Sequence, residues 1–272
     1  LFFFTQTPPT PILSGLVGSE MCIRDRTMSY SSALEPGEDG LEAAQRRKWD
    51  ALAARIGAAP KVLEIGCGWG GLAGFLAARG ADVTAISLSD EQLAWAAAHH
   101  GAGADFRKQD YRDCEGQFDA IVSVEMVEAL GREYWPTFMD CIARNLKPGG
   151  RAAIQYIAMR DDLFDAYAKS ADFIQAYIFP GGLLPSVSVI EQITHEQTSL
   201  RLVERQAFGQ HYAATLRLWD DAFLGSPDEV AALGFDETFV RMWHFNLEYS
   251  RAGFASGYID VNQLVLARPE DS

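Results

Sequence analysis

The chain has 272 residues, 48% of them hydrophobic, with a formal net charge of −14 and a pI near 4.7. That suffices for one large packed domain, or a domain with a cap, and the acidic balance argues against nucleic acid, whose binding needs a basic face. Cys22, Cys67, Cys114 and Cys141 are scattered without a C-x-x-C pair, which fits a reducing cytoplasm better than a disulfide or zinc framework, and no apolar run reaches the roughly 18 residues of a membrane span.

Residues 1–26, LFFFTQTPPTPILSGLVGSEMCIRDR, read unlike the rest and lack the layout of a secretory signal. GLVGSEMCIRDR resembles translated adapter read-through, so residues 1–26 are expected to be non-native or disordered, with the true chain starting near Thr27 and its natural N-terminus missing. Residues 27–60 read as a helical N-terminal segment: from Asp39 to Ile56, Leu41, Ala44, Lys48, Leu52 and Ile56 recur at helical intervals, and Gly57 stops the helix.

VLEIGCGWGG, at 62–71, is a strand, a glycine turn and a helix start. Glycines at 66, 68 and 70 allow positive φ and close ligand approach, and the helix start offers free N–H groups. The turn alone also suits dinucleotide enzymes, or an idle αβ turn. Glu64 at the strand's carboxyl end favours a cationic ligand, S-adenosylmethionine, over a pyrophosphate.

Further strands are read at 81–89, 104–109 and 117–127, with helices at 90–100 and 134–146 and a fifth strand, RAAIQYIAM, after a Lys-Pro-Gly-Gly turn. This alternation predicts an α/β, doubly wound, Rossmann-like sheet over 61–272, mostly parallel with an antiparallel last strand. Residues 160–190 are too apolar for a linker and are read as a cap over the sheet's carboxyl edge. Helices at 189–199, 212–223 and 237–252 and strands at 200–208 and 258–268 complete the chain.

Ligands of such sheets lie at the carboxyl ends of the strands. The residues falling there are Glu64 to Gly70, then Ser87, Ser89 and Gln92, Asp110 and Tyr111, Glu125 and Glu128, and Tyr156 and Ile157. Each has a plainer reading: Ser89 as a helix cap, Asp110 as a turn residue, Tyr111 as packing. The second strand ends in ISLSDEQ, hydroxyls first, where a nicotinamide-dinucleotide site expects an acid, and Asp110 is placed for an adenine amino group.

YSSA at 30–33, AQRRK at 44–48, VLEIGCGWGGLA, SLSDEQ, QDYRD, FDAIVSVEMVEALG, YWPTF, DFIQAYIFPGGLLPS, HYAATLRLW and GFASGYIDVNQLVLAR together resemble the cyclopropane-fatty-acyl-phospholipid synthase family and its mycolic acid methyltransferase relatives. The resemblance runs from about Thr27 to Arg268. It implies transfer of a methyl from S-adenosylmethionine to the cis double bond of a phospholipid acyl chain, by an enzyme peripheral at the inner membrane face; a homodimer is compatible with it. The cofactor contacts it implies are Tyr30, Ser31, Glu64, Gly66, Cys67, Gly68, Trp69, Gly70, Ser87, Leu88, Ser89, Gln92, Asp110 and Tyr111. The family also holds a bicarbonate ion as base, whose ligands match Glu128, Tyr212 and the backbone near Gln155 and Ile157, with Ser32 where a cysteine is common. Ala129 and Gln155 stand where histidines are common, Ser250 where a cysteine is, and Ala255 where an arginine is, which marks a divergent subgroup.

An alkene is a weak nucleophile, so such a reaction needs a positioned sulfonium, a dry aromatic slot for the resulting cation and one base. Candidates for the slot are Tyr156, Phe173, Tyr177, Phe179, Trp219 and Phe254, each of which also reads as core. Proton loss from the added methyl closes a cyclopropane; loss from a neighbouring carbon leaves a methyl-branched alkene. Two other readings stand beside this one, a small-molecule methyltransferase and a catalytically weak binding protein.

Overall fold

The computed structural model describes residues 25–270. Helix α1 (Gly40–Ile56) leads into β1 (Lys61–Ile65), α2 (Gly71–Ala77), β2 (Asp82–Ser87), α3 (Asp90–His100), β3 (Ala104–Lys108) and β4 (Phe118–Val124). Then come α4 (Trp135–Asn145), β5 (Leu146–Met159), α5 (Asp161–Tyr167), α6 (Val187–Gln197), β6 (Arg201–Ala207), α7 (Gly209–Leu224), α8 (Pro227–Ala232), α9 (Glu237–Ala255) and β7 (Ile259–Ala267).

The seven strands form one sheet in the order β3-β2-β1-β4-β5-β7-β6, with β1 to β5 parallel and β7 antiparallel to both of its neighbours. This is the doubly wound sheet the sequence predicts. Its central strands read as nearly unbroken apolar runs because helices cover both faces: Val62, Leu63 and Ile65 on β1 and Ala120, Ile121 and Val122 on β4 are all buried. Edge strand β6 is exposed along its length and carries Arg201, Glu204 and Arg205, charges that discourage further pairing. Within the described residues no helix is long and apolar enough to cross a membrane.

Two apolar clusters flank the sheet, one against α4, α5 and α6 and the other against α1, α2 and α3. A third lies over the carboxyl edge and is built from α7 and α9, including Tyr212, Trp219, Trp243 and Phe254, with Ile178 from the segment between α5 and α6. Phe173, Ile174 and Phe179 of that segment pack on it, as do Tyr30, Leu34 and Leu41.

Local differences from the expectations have simple causes. The Lys-Pro-Gly-Gly stretch belongs to β5 rather than preceding it, because Gly149 N–H donates to the Arg268 carbonyl and Arg268 N–H to the Gly150 carbonyl, so pairing continues past the last residues of β7. Helix α8 adds to the predicted elements; it is a six-residue helix started by Pro227. Residues 174–178 form a π-helical turn within the stretch predicted only as a cap.

Candidate active site

Strand β1 delivers Glu64 to the carboxyl edge, and the chain turns at once into α2. The Gly66 and Cys67 N–H groups both donate to the Ile86 carbonyl of β2, at 3.0 and 3.1 Å, which pins the turn to the sheet. At Gly70, φ is +81° and a Cβ would stand 2.7 Å from the Phe106 ring and 2.8 Å from Ala96, so only glycine fits. At Gly68, φ is +52° and a Cβ would meet no protein atom within 4 Å, because that position opens on a cavity.

The cavity measures about 1070 Å³ and runs from the glycine turn to the third apolar cluster. Tyr30, Ser31, Glu64, Gly66, Cys67, Gly68, Trp69, Gln92, Tyr111, Glu128, Ile157 and Tyr212, all predicted from sequence, line it. Ser32, Gly70, Ser87, Leu88, Ser89, Asp110 and Gln155 do not. Ser89 caps α3, its Oγ accepting from Gln92 N–H at 3.2 Å. Asp110 accepts from the Arg112 N–H at 2.9 Å and from its guanidinium at 2.6 Å, so that carboxylate is engaged by its own turn. Of the aromatic candidates, Phe179, Trp219 and Phe254 line the cavity. Tyr156 points the other way, into the α4 side of the core, because alternate residues of a strand face opposite sides and Ile157 faces the cavity. Phe173 and Tyr177 sit outside it, at a cluster with Phe245 and Tyr249.

The walls carry buried charge. Lys48, on the apolar stripe of α1, is 1% exposed and donates to Ser31 Oγ at 2.6 Å. Burial pulls its ammonium down to about 8, against the pull of Glu125, Asp25 and Glu64. Burial pushes the Glu64 carboxyl up to about 8, opposed by the Ala73 N–H and Lys48, and its Oε2 has no hydrogen-bond partner. A buried carboxylate with one free oxygen, next to a turn whose Gly68 leaves ligand space, fits the cationic donor S-adenosylmethionine.

At the far side, two glutamates follow β4. Glu125 Oε1 accepts from Ser32 N–H at 2.9 Å and Gln155 Nε2 at 2.8 Å, and its Oε2 accepts from the Tyr212 hydroxyl at 2.8 Å. Glu128 Oε1 accepts from Ile157 N–H, and its Oε2 is unpartnered. Burial and then the charge of Glu125 push the Glu128 carboxyl up to about 8. Burial also raises Glu125, but Lys48, Gln155, Ser32 and Tyr212 hold it down, so of the two Glu125 is the better stabilised anion. The residues expected to ligate bicarbonate are thus brought together, but with their donors already turned to Glu125 and Glu128. In this arrangement they do not fit a bicarbonate ion.

Sequence patterning places Glu125 at the carboxyl edge and Lys48 on the helical stripe of α1, but it assigns neither a role in the site. A lysine on an otherwise apolar helical stripe, and a second carboxylate three residues before Glu128, are the signals that could have found them.

Residues 21–264 match the family described as mycolic acid cyclopropane synthetase. The chain is 46% identical over 259 residues to tuberculostearic acid methyltransferase UfaA1 of Mycobacterium tuberculosis, covering 90% of this chain and 61% of that protein. It is 35% identical over 249 residues to the cyclopropane-fatty-acyl-phospholipid synthase of Escherichia coli K12, covering 90% of this chain and 63% of that one. It therefore spans less than two thirds of these curated relatives. Among solved structures, the cyclopropane synthase MmaA2 from Mycobacterium tuberculosis superposes with a TM-score of 0.84 at 27% identity, over 92% of this chain and 93% of that one. Fold, motifs and these similarities agree: the chain belongs to the mycolic acid cyclopropane synthetase family.

Proposed function

We propose that this protein is an S-adenosylmethionine-dependent methyltransferase that alkylates the double bond of an unsaturated phospholipid acyl chain. The observation that carries the reading is the continuity of one cavity from Glu64 and Gly68 to an apolar wall of Phe179, Leu216, Trp219 and Phe254. The cofactor, when bound, supplies an electrophilic methyl. Glu64 and the glycine turn hold its cationic end, and Tyr30, stacked on Trp219 at 5.0 Å, links the donor side of the cavity to the apolar wall. The aromatic wall excludes water, and aromatic rings beside the acyl chain lower the cost of positive charge there. A small polar acceptor would leave this slot unfilled.

The family match and the relatives' names support a lipid acceptor. Residues 27–60 serve as an N-terminal helical element and 61–272 as the methyltransferase domain, with 160–190 as the lipid cap. The protein works as a peripheral enzyme at the cytoplasmic membrane face. Tyr177, Phe245 and Tyr249, exposed by 56%, 50% and 39%, offer an aromatic rim to the bilayer. The expected product is a cyclopropane fatty acid. A methyl-branched chain is the second reading, favoured by the 46% identity to a protein named for tuberculostearic acid.

The test is incubation of the purified chain with methyl-labelled donor and vesicles of unsaturated phospholipid, followed by mass spectrometry of the fatty acids. One added CH₂ equivalent with the ring supports the first product, and the same gain with a retained double bond supports the second. Donor binding without any labelled lipid would sink the lipid reading.

A further inference from the structure

The place the family resemblance reserves for a bicarbonate ion is filled by a side chain of the protein. Ser32 N–H, Gln155 Nε2 and the Tyr212 hydroxyl converge on the two oxygens of Glu125 at 2.8–2.9 Å. Ile157 N–H is taken by Glu128, and Ser32 Oγ donates to the Ala33 carbonyl at 3.0 Å. Every N–H and hydroxyl donor of that set is taken, and only Glu128 Oε2 has no partner.

The arrangement is built from two directions. Arg55 Nη1, which can only donate, gives a hydrogen bond to Gln263 Oε1 at 2.8 Å, and Gln263 Nε2 gives one to Gln155 Oε1 at 2.9 Å. The Gln155 amide is thereby turned so that its Nε2 must find an acceptor, and it finds Glu125 Oε1. The row of donors fixes Glu125 as an accepting carboxylate. The backbone gives the second indication: Glu125 has φ +50°, in the left-handed region that favours glycine, with its N–H anchored on the Gln155 carbonyl at 2.7 Å. A side chain is kept where a glycine would be easier, and such strain gathers at functional positions.

We propose that the Glu125 carboxylate is the proton acceptor of the reaction, standing in place of a bicarbonate ion. This rests on the methyl-transfer reading above. Once the acyl double bond has used its π pair to bind a methyl, the neighbouring carbon is cationic. A Glu125 oxygen takes a proton from a flanking carbon, and the freed C–H pair forms a new C=C bond; if the proton comes from the added methyl, the pair closes a ring. Glu125, now the acid, returns its proton to solvent when the product leaves. Gln155, Gln263 and Arg55 are positioning residues.

Three full-length proteins decide the matter: wild type, Glu125→Gly and Glu125→Gln, each assayed with unsaturated phospholipid vesicles in carbonate-free buffer and again with added bicarbonate. Wild-type turnover is expected to be the same in both. Both variants should lose turnover by roughly 10²–10⁴-fold, the usual worth of a general base. Bicarbonate should partly rescue Glu125→Gly, which relaxes the backbone and frees the three donors, but not Glu125→Gln, whose amide still fills the place. Independently of turnover, ¹³C-labelled bicarbonate observed by NMR should bind Glu125→Gly and not the wild type, while donor affinity by calorimetry shows that each variant is folded. Wild-type turnover that collapses without bicarbonate, labelled bicarbonate bound by the wild type, or variants as active as wild type would each overturn the proposal while leaving methyl transfer intact. Bound donor with no lipid product from wild type in either buffer overturns the methyl-transfer reading, and this role with it.

Discussion

Lys48 Nζ and Ser31 Oγ lie 2.6 Å apart in the wall of the cavity, joining α1 to the segment that precedes it. The ammonium sits within the field of Glu125, Asp25 and Glu64, all of them acidic. Stability should therefore carry the mark of these buried groups.

Glu64 and Glu128, both raised from 4.5 to about 8, hold protons in the folded state that the unfolded chain has already released. Their contribution is full below pH 4.5 and is lost as pH rises through 8. Lys48, lowered from 10.5 to about 8, acts in the opposite sense above that: the unfolded chain binds more protons between 8 and 10.5, so stability climbs again. Urea unfolding of the donor-free protein across this range should show a dip near pH 8. A curve that is flat there would contradict the placement of these charges.

Binding of a sulfonium beside Glu64 favours its ionised form, so donor binding at neutral pH should expel a proton. Calorimetry in two buffers of different ionisation enthalpy measures this directly. Glu64→Gln should abolish the release and weaken the donor by about 1.5–3 kcal/mol, the range for a hydrogen bond to a charged group. Equal proton release from that variant would assign the proton to another residue.

Gly68→Val should remove donor binding while leaving the fold. The new side chain meets no protein atom, so the fold bears only the backbone cost at φ +52°, roughly 1–3 kcal/mol. The cavity space, however, is occupied. Undiminished donor affinity, with melting temperature as the control, would place the donor elsewhere.

The aromatic rim is testable apart from the chemistry. Tyr177→Ser with Phe245→Ser should lower vesicle binding by about 1 kcal/mol per ring, since each half-exposed ring can bury only part of its surface. Donor affinity should not change. Co-sedimentation with vesicles reads the first quantity, and unaltered sedimentation would remove the rim from the membrane contact.

The sheet, the glycine turn and the helix cap are legible in the order of the residues, while the expected cofactor contacts Gly70, Ser87, Leu88, Ser89 and Asp110 lie outside the cavity. Apolar strands between helices dictate a doubly wound sheet, because burial on both faces leaves little room for polar residues, and Ser89, Gly70 and Gly68 announce their cap and turn by residue type. The acceptor side is less legible. Tyr156 looks as good as Ile157 for the cavity, and only strand pleat separates them. Glu125 stands in view at the end of β4, but no one-dimensional spacing says that its carboxylate meets Tyr212, 87 residues away, or Ser32, 93 residues away. Lys48 is masked by its own residue type, since a lysine at a helical interval ordinarily reaches out to solvent.

The donor turn and the apolar wall share a single chamber. On the proposed reaction an acyl chain and a nucleoside would occupy that chamber together, so a saturating lipid is expected to slow turnover by hindering exchange of the spent donor.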